Sequence, residues 1–303
     1  MTASGPGGSI FDLGYQSYTG PRLGRRSAVR ALFSQTIRAC FGIGRGGRAK
    51  IAPFGLSALA VLPAGLAVGF AALAAQAGPA GGAIENASPI RYETYHGLVA
   101  ILIMLFCAAQ APELFGRDQR YGVLPLYFSR VLTRPDYALA KVFGLMLALF
   151  AVDIAPYLIL FVGRVFVAPD PATGLAEEIA ALPRFLLQGV LVAGLLGGIA
   201  GLIAAWTPRR AYATATIIAV FIIPPIIVAI VAAQTSQDLA RALVLFSPGD
   251  ILDGTNAAIF GSIPDSPVVA SLALPGWAYL VAAVVGVLGS IGLTVRRYLR
   301  IAA

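Results

Sequence analysis

Six long apolar runs alternate with polar connections along this chain. About 20 apolar residues, rising about 1.5 Å each, cross a bilayer core of about 30 Å. The pattern therefore predicts membrane spans over residues 51–73, about 95–112, about 140–162, about 185–206, 212–233 and about 274–295. The second is the shortest. Ahead of the first run the periodicity changes. In RSAVRALFSQTIRACFG, the residues Val29, Leu32, Phe33, Thr36, Ile37, Cys40 and Phe41 recur at helical spacing. Arg26, Arg30, Ser34 and Arg38 step by four along the opposite side. One apolar and one basic face predict a helix lying in the membrane interface, with Arg30, Phe33, Ile37 and Arg38 as its contact residues.

The expected fold is an all-α integral membrane protein with six transmembrane helices and an N-terminal amphipathic interfacial helix. Residues 1–50 form the leader and residues 51–303 the membrane domain. A polar connection covers about 113–139, and the longest loop on the opposite side covers about 234–273. That loop contains FSPGDILDGTNAAIFGSIPDSP, read either as a short helix dipping partway into the membrane or as an irregular loop. The first apolar run begins only after the basic leader, too late for the apolar core of a cleavable signal peptide.

Charge orients the spans. The chain carries 22 lysines and arginines. The leader, the 113–139 connection with Lys141, Arg209–Arg210, and Arg296, Arg297 and Arg300 together hold all but Arg91, Arg164, Arg184 and Arg241. The positive-inside rule then puts both termini and the 113–139 connection in the cytoplasm. A formal net charge of +8 could signal nucleic acid, but it is confined to segments flanking apolar runs, the placement of anionic-lipid contact. Only 12% of residues are charged, 58% are hydrophobic and the mean hydropathy is +0.82. Soluble domains average about 25% charged residues.

Composition narrows the chemistry. Two cysteines, Cys40 and Cys107, supply neither a disulfide framework nor a spaced metal site, and the single histidine, His96, excludes two-histidine zinc motifs. No catalytic or metal-binding residues are expected. GIGRGG fits the dinucleotide pattern at Gly42, Gly44 and Gly47, but it lies between an amphipathic helix and a span rather than in a βαβ unit, and reads as a flexible joint. GGRAK lacks the Gly before Lys50 and the hydroxyl residue after it that a phosphate-binding loop requires. Asn86-Ala87-Ser88 fits a glycosylation acceptor, expected to stay unmodified given the bacterial look of this Ala-, Gly- and Arg-rich composition.

Several residues stand out within the spans. Asp153 lies near the middle of the third, where an ionisable group costs about 2.5–3.5 kcal/mol to insert. It reads as a cavity or gating residue, or as a buried hydrogen-bonding group. Pro224-Pro225 should interrupt and kink the fifth span, shaping a pathway or simply its packing. Gly194/Gly198 and Gly197/Gly201 let another helix approach closely, from this chain or from a second copy.

The connection PELFGRDQRYGVLPLYFSRVLTRPDYALAK is richer in charge and aromatics than a lipid anchor needs, and reads as a surface for a cytoplasmic protein. Its order resembles the permease subunits of the ABC type-2 exporter family. That family ends its second span with an acidic residue, followed by basic residues, a Gly, a Leu-rich run, a Pro-x-x-Arg-like turn and a Lys opening the third span. Glu113, Arg117, Gly122, Leu124, Leu126, Arg134 and Lys141 match in order, with the proline displaced to Pro135.

The resemblance implies a cell-membrane exporter of a hydrophobic or amphiphilic substrate such as a drug, antibiotic, lipid or polyketide. It implies two cytoplasmic ATPase subunits carrying the ATP and Mg, and a second permease subunit, identical or homologous. The chain itself would not be an enzyme and would hold no cofactor. Arg117, Asp118, Arg120, Arg130 and Arg134 would form the docking surface, while Glu113 and Lys141 transmit motion. The rival expectation is an ion- or proton-coupled secondary transporter, whose usual internal repeats are not evident here. An intramembrane enzyme would need a partner for His96.

Overall fold

A computed structural model describes residues 20, 23–77, 90–129, 131–234 and 236–301. Arg130 and the Asn86 acceptor lie outside the described residues. Among the described residues, twelve α-helices follow in order: α1 Gly24–Cys40, α2 Arg48–Gln76, α3 Tyr92–Arg120, α4 Leu124–Phe128, α5 Arg134–Val167, α6 Pro171–Glu178, α7 Leu182–Trp206, α8 Arg210–Gln234, α9 Gln237–Val244, α10 Pro248–Phe260, α11 Pro267–Leu272 and α12 Gly276–Leu299. A 3₁₀ turn, Ile179–Ala181, joins α6 to α7. Six of these helices are long and apolar enough to cross a membrane: α2, α3, α5, α7 with the helical turns that precede it, α8 and α12. The protein is an all-α membrane protein.

The helices α3, α5 and α7 are mostly buried, whereas α2, α8 and α12 turn most of their surface outward. Glycines set the close approaches. A Cβ on Gly194 would press on Val287, and one on Gly198 would collide with the Ser290 hydroxyl, both on α12. A Cβ on Gly197 would lie 2.9 Å from Leu149 of α5, and one on Gly201 3.3 Å from Phe115 of α3. The two small-residue pairs therefore serve contacts inside this chain, which settles the choice that the spacing left open.

Two helices are longer than the apolar pattern predicts. α3 continues past Pro112 to Arg120, and there it stops at a left-handed glycine, Gly122, with φ of 62°. Gly122 N donates to Gln119 O and Val123 N to Asp118 O, the paired bonds of a Schellman cap. α5 begins at Arg134 because Thr133 and Asp136 bond each other's backbone amides, a capping box. Pro135 falls in the first turn, where its missing N–H costs nothing. This accounts for the displaced proline. The polar connection thus shrinks to residues 121–133, and Glu113, Arg117, Asp118 and Arg120 ride on α3.

Two other expectations change. Pro224-Pro225 does not interrupt α8, which runs unbroken from Arg210 to Gln234. Instead, Pro225 sits against α10, its Cγ 3.4 Å from where a Gly249 Cβ would lie. The segment 236–273 carries three helices, and the longest, α10, packs against α3, α7, α8 and α12 with most of its residues buried. The segment is helical rather than irregular.

Contacts place the connections at two ends. Arg25 of α1 pairs with Asp136 of α5 at 2.7 Å, Arg210 of α8 with Glu113 of α3 at 3.6 Å, and Arg134 donates to Leu299 O of α12 at 3.2 Å. Asn256 of α10 reaches Glu93 O, and Arg164 pairs with Glu178 at 3.6 Å, at the other. The first and last helices therefore meet the bundle at the same end, called here the basic end.

Candidate functional site: a groove at the basic end

Helix α1 is held by its apolar stripe. Leu32, Thr36 and Cys40 are buried, and Val29, Phe33 and Phe41 pack on the bundle core. Gly144 of α5 makes the seat, since a Cβ there would lie 2.7 Å from Thr36 Cγ2 and 3.4 Å from Phe33 O. The stripe thus faces protein as well as any lipid. Ile37 is half-buried, while Arg26, Arg30, Ser34 and Arg38 are exposed on the opposite side. The Cys40 thiol is pushed up to about 12 by burial.

After α1 the chain reverses through Gly42 and Gly44, whose φ values are 65° and 86°. A Cβ at Gly42 would lie 2.6 Å from Ala49 O. The GIGRGG stretch is therefore a tight, defined turn. It carries Arg45 back toward α3.

Between α1, this turn, the overhang of α3 and residues 121–129 lies a groove of about 950 Å³. Leu32, Ile43, Leu126 and Tyr127 give it apolar walls, and Arg38, Arg45, Arg117 and Lys141 are its basic members. Glu113 sits in the wall and gathers three arginines from three elements. Arg45 approaches its Oε1 at 2.9 Å, Arg117 the same oxygen at 4.0 Å, and Arg210 its Oε2 at 3.6 Å.

A second, drier cluster lies beside it. Lys141 is only 7% exposed, pairs with Asp118 at 2.8 Å and donates to Leu114 O at 3.1 Å. Tyr137 donates to the same Asp118 oxygen at 2.6 Å, and its ring lies beside those of Tyr127, Phe128 and Tyr298. Gln119 ties the layer to α7 and α12 by donating to Ala205 O and to the Tyr298 hydroxyl. Burial raises the ionisation point of the Tyr127 hydroxyl, with Asp118 acting in the same direction. A buried pair is weak evidence for stability, but removing one partner strands a buried charge at about 3–5 kcal/mol.

The sequence-chosen residues divide accordingly. Arg117 and Arg120 are exposed, and Arg134 is half-buried over the Phe128 ring at 5.9 Å. Asp118, expected on the docking surface, instead lies inside the wall as the counter-ion of Lys141. Gly122 caps α3. Glu113 and Lys141, expected to act together, belong to separate clusters. Arg25, Arg45, Arg210, Tyr137, Gln119 and Tyr298 also build this end, and sequence reasoning gave them no role beyond charge counting. Their partners lie far away along the chain, and no local pattern marks them.

Elsewhere, Asp153 of α5 is fully buried between α5 and α7, with no hydrogen-bond partner among the described residues. Among those residues no group of three His, Cys, Asp or Glu is arranged to hold a metal. No family model matches the sequence, and no curated protein matches it.

Proposed function

We propose that this chain is the membrane permease subunit of an ATP-driven exporter of the ABC type-2 kind. Its basic end faces the cytoplasm of a cell membrane, and a hydrophobic or amphiphilic compound is the cargo. The observation that carries this reading is the groove of about 950 Å³ between α1 and the 121–129 connection. It is the place where a resident cytoplasmic subunit could grip the leader helix and the connection at once.

The chain lacks a phosphate-binding loop of its own, so ATP and Mg belong to a pair of ATPase partners. A second permease subunit completes the path. Nucleotide moves such an assembly only by binding its two states with different affinity. In this reading, displacement of α1 reaches Glu113 through the turn that carries Arg45, and α5 through the Arg25 ion pair and the Gly144 packing seat.

Co-purification tests the class, because an ABC permease brings down an ATPase. Charge reversal at Arg117 together with Arg130 tests the surface, with loss of ATPase stimulation and of export as the expected outcome. Unchanged transport in that variant would count against the assignment. One observation favours an ion- or proton-coupled transporter as the second reading: the unpartnered, fully buried carboxyl of Asp153.

A further inference from the structure

Two polar groups stand one turn apart on α5 with nothing to bond among the described residues. Asp153 and Tyr157 are each 0% exposed. Neither carboxyl oxygen of Asp153, nor the Tyr157 hydroxyl, has a hydrogen-bond partner among the described residues. Ionisable groups inside spans are expensive, and where they persist they mark ion or substrate pathways. A carboxylate in such a place needs compensation from a charge or from donors.

The surroundings specify what could compensate it. From α7, the amide of Gln188 is already committed, donating to Leu252 O at 3.3 Å and accepting from Thr255 at 3.4 Å. Its neighbour is Gly189, where a Cβ would lie 3.2 Å from Asp153 Oδ2, 3.2 Å from Phe150 Cε2 and 3.3 Å from Ile154 Cδ1. With no side chain there, α7 packs closely against the carboxyl and offers it no side-chain donor at that position. From α3, Tyr95 turns its hydroxyl away to Ala60 O, while its ring lies 5.2 Å from that of Tyr157. Arg164, further along α5, is taken by Glu178 and by the face of Tyr92. No Lys or Arg pairs with Asp153 among the described residues.

Asp265 lies at the end opposite the groove, exposed, and packs onto α3 at Gly97. Asp253 holds that turn by accepting from the backbone amides of Asp265 and Ser266, each at 3.0 Å.

We propose that Asp153 and the Tyr157 hydroxyl hold one small monovalent cation, an alkali ion or a hydrated proton. A single carboxylate with a neutral oxygen beside it matches one positive charge. A divalent ion, which favours several carboxylates, does not match. The site is independent of ATPase docking and can be tested on this chain alone.

The experiment is thermal unfolding of the purified protein in lipid nanodiscs, in sodium, potassium or choline chloride at equal ionic strength, across pH 5–9. Either of two results supports the site: a midpoint that rises with sodium or potassium over choline, or one that changes with pH, lost in both cases in D153N. The alkali dependence should also be lost in G189A, whose methyl would lie against the carboxyl. D238N, at an acid whose side chain is 91% exposed, should keep the wild-type response. If D153N does not fold, D153E should shift the half-saturating concentration several-fold. A wild-type midpoint indifferent to cation and pH, or a response retained in D153N or unshifted in D153E, overturns the proposal.

Discussion

Lys141 shows how one side chain can fix a junction. Its ammonium is nearly dry, yet it is answered by a carboxylate, a backbone carbonyl and the Tyr137 ring, whose centroid lies 5.5 Å away. Exposed pairs such as Arg241–Asp238 contribute about 0–1 kcal/mol, so only the buried cluster should register strongly in mutagenesis. We expect K141M to destabilise the protein by about 3–5 kcal/mol, and K141M/D118L to recover much of that loss, since the double variant strands no charge. A double-mutant cycle in chemical denaturation measures this, and additive losses would contradict it. Gly122 makes a smaller case. With φ of 62° and open space around it, Gly122→Ala should cost about 1 kcal/mol through backbone strain alone, read as a modest fall in the unfolding midpoint.

At the scale of elements, the seat of α1 on α5 is the contact most exposed to experiment. Gly144→Ala forces a methyl onto Thr36, and overpacking of this kind costs about 1–3 kcal/mol. Cys40 reports the result. Its thiol is buried and resists ionisation below about pH 12, so alkylation of wild-type protein at pH 8 should be slow. In G144A it should quicken several-fold, and an unchanged rate would mean that α1 is held by something other than this seat.

The helices themselves were largely legible in the sequence, because runs of apolar residues report directly on membrane crossing. Their ends were less so. The pattern stopped α3 near Pro112, where polar residues begin, although helix continues wherever caps and packing permit. The signals at 133–136 and at Gly122 were present in the sequence and explain both overhangs. The stripe on α1 was readable, but whether lipid or protein covers it depends on Gly144, more than a hundred residues away. The partners of Glu113 and Asp118 were hidden for the same reason: proximity created by tertiary folding leaves no periodic trace.

For the molecule as a whole, the two ends are built differently. Salt bridges join α1, α3, α5 and α8 at the basic end, while at the other end α10 is wedged among four helices by close packing. Charge contacts can be exchanged with a visiting surface more readily than a packed wedge can be withdrawn, so motion imposed from outside should enter at the basic end. Hydrogen exchange of the purified chain checks this: amides of residues 24–50 should exchange faster than those of α10. The lengths of α3 and α5 carry a consequence of their own. At about 1.5 Å per residue, their 29 and 34 residues extend to about 43 and 51 Å, well beyond a hydrocarbon thickness of about 30 Å. Where that excess stands out at the basic end, Glu113, Asp118 and Lys141 would ride on a pedestal rising from the headgroups, with water and dissolved salt reaching its outer rim. A subunit gripping that pedestal would stand clear of the lipid, and its hold would loosen as ionic strength rises.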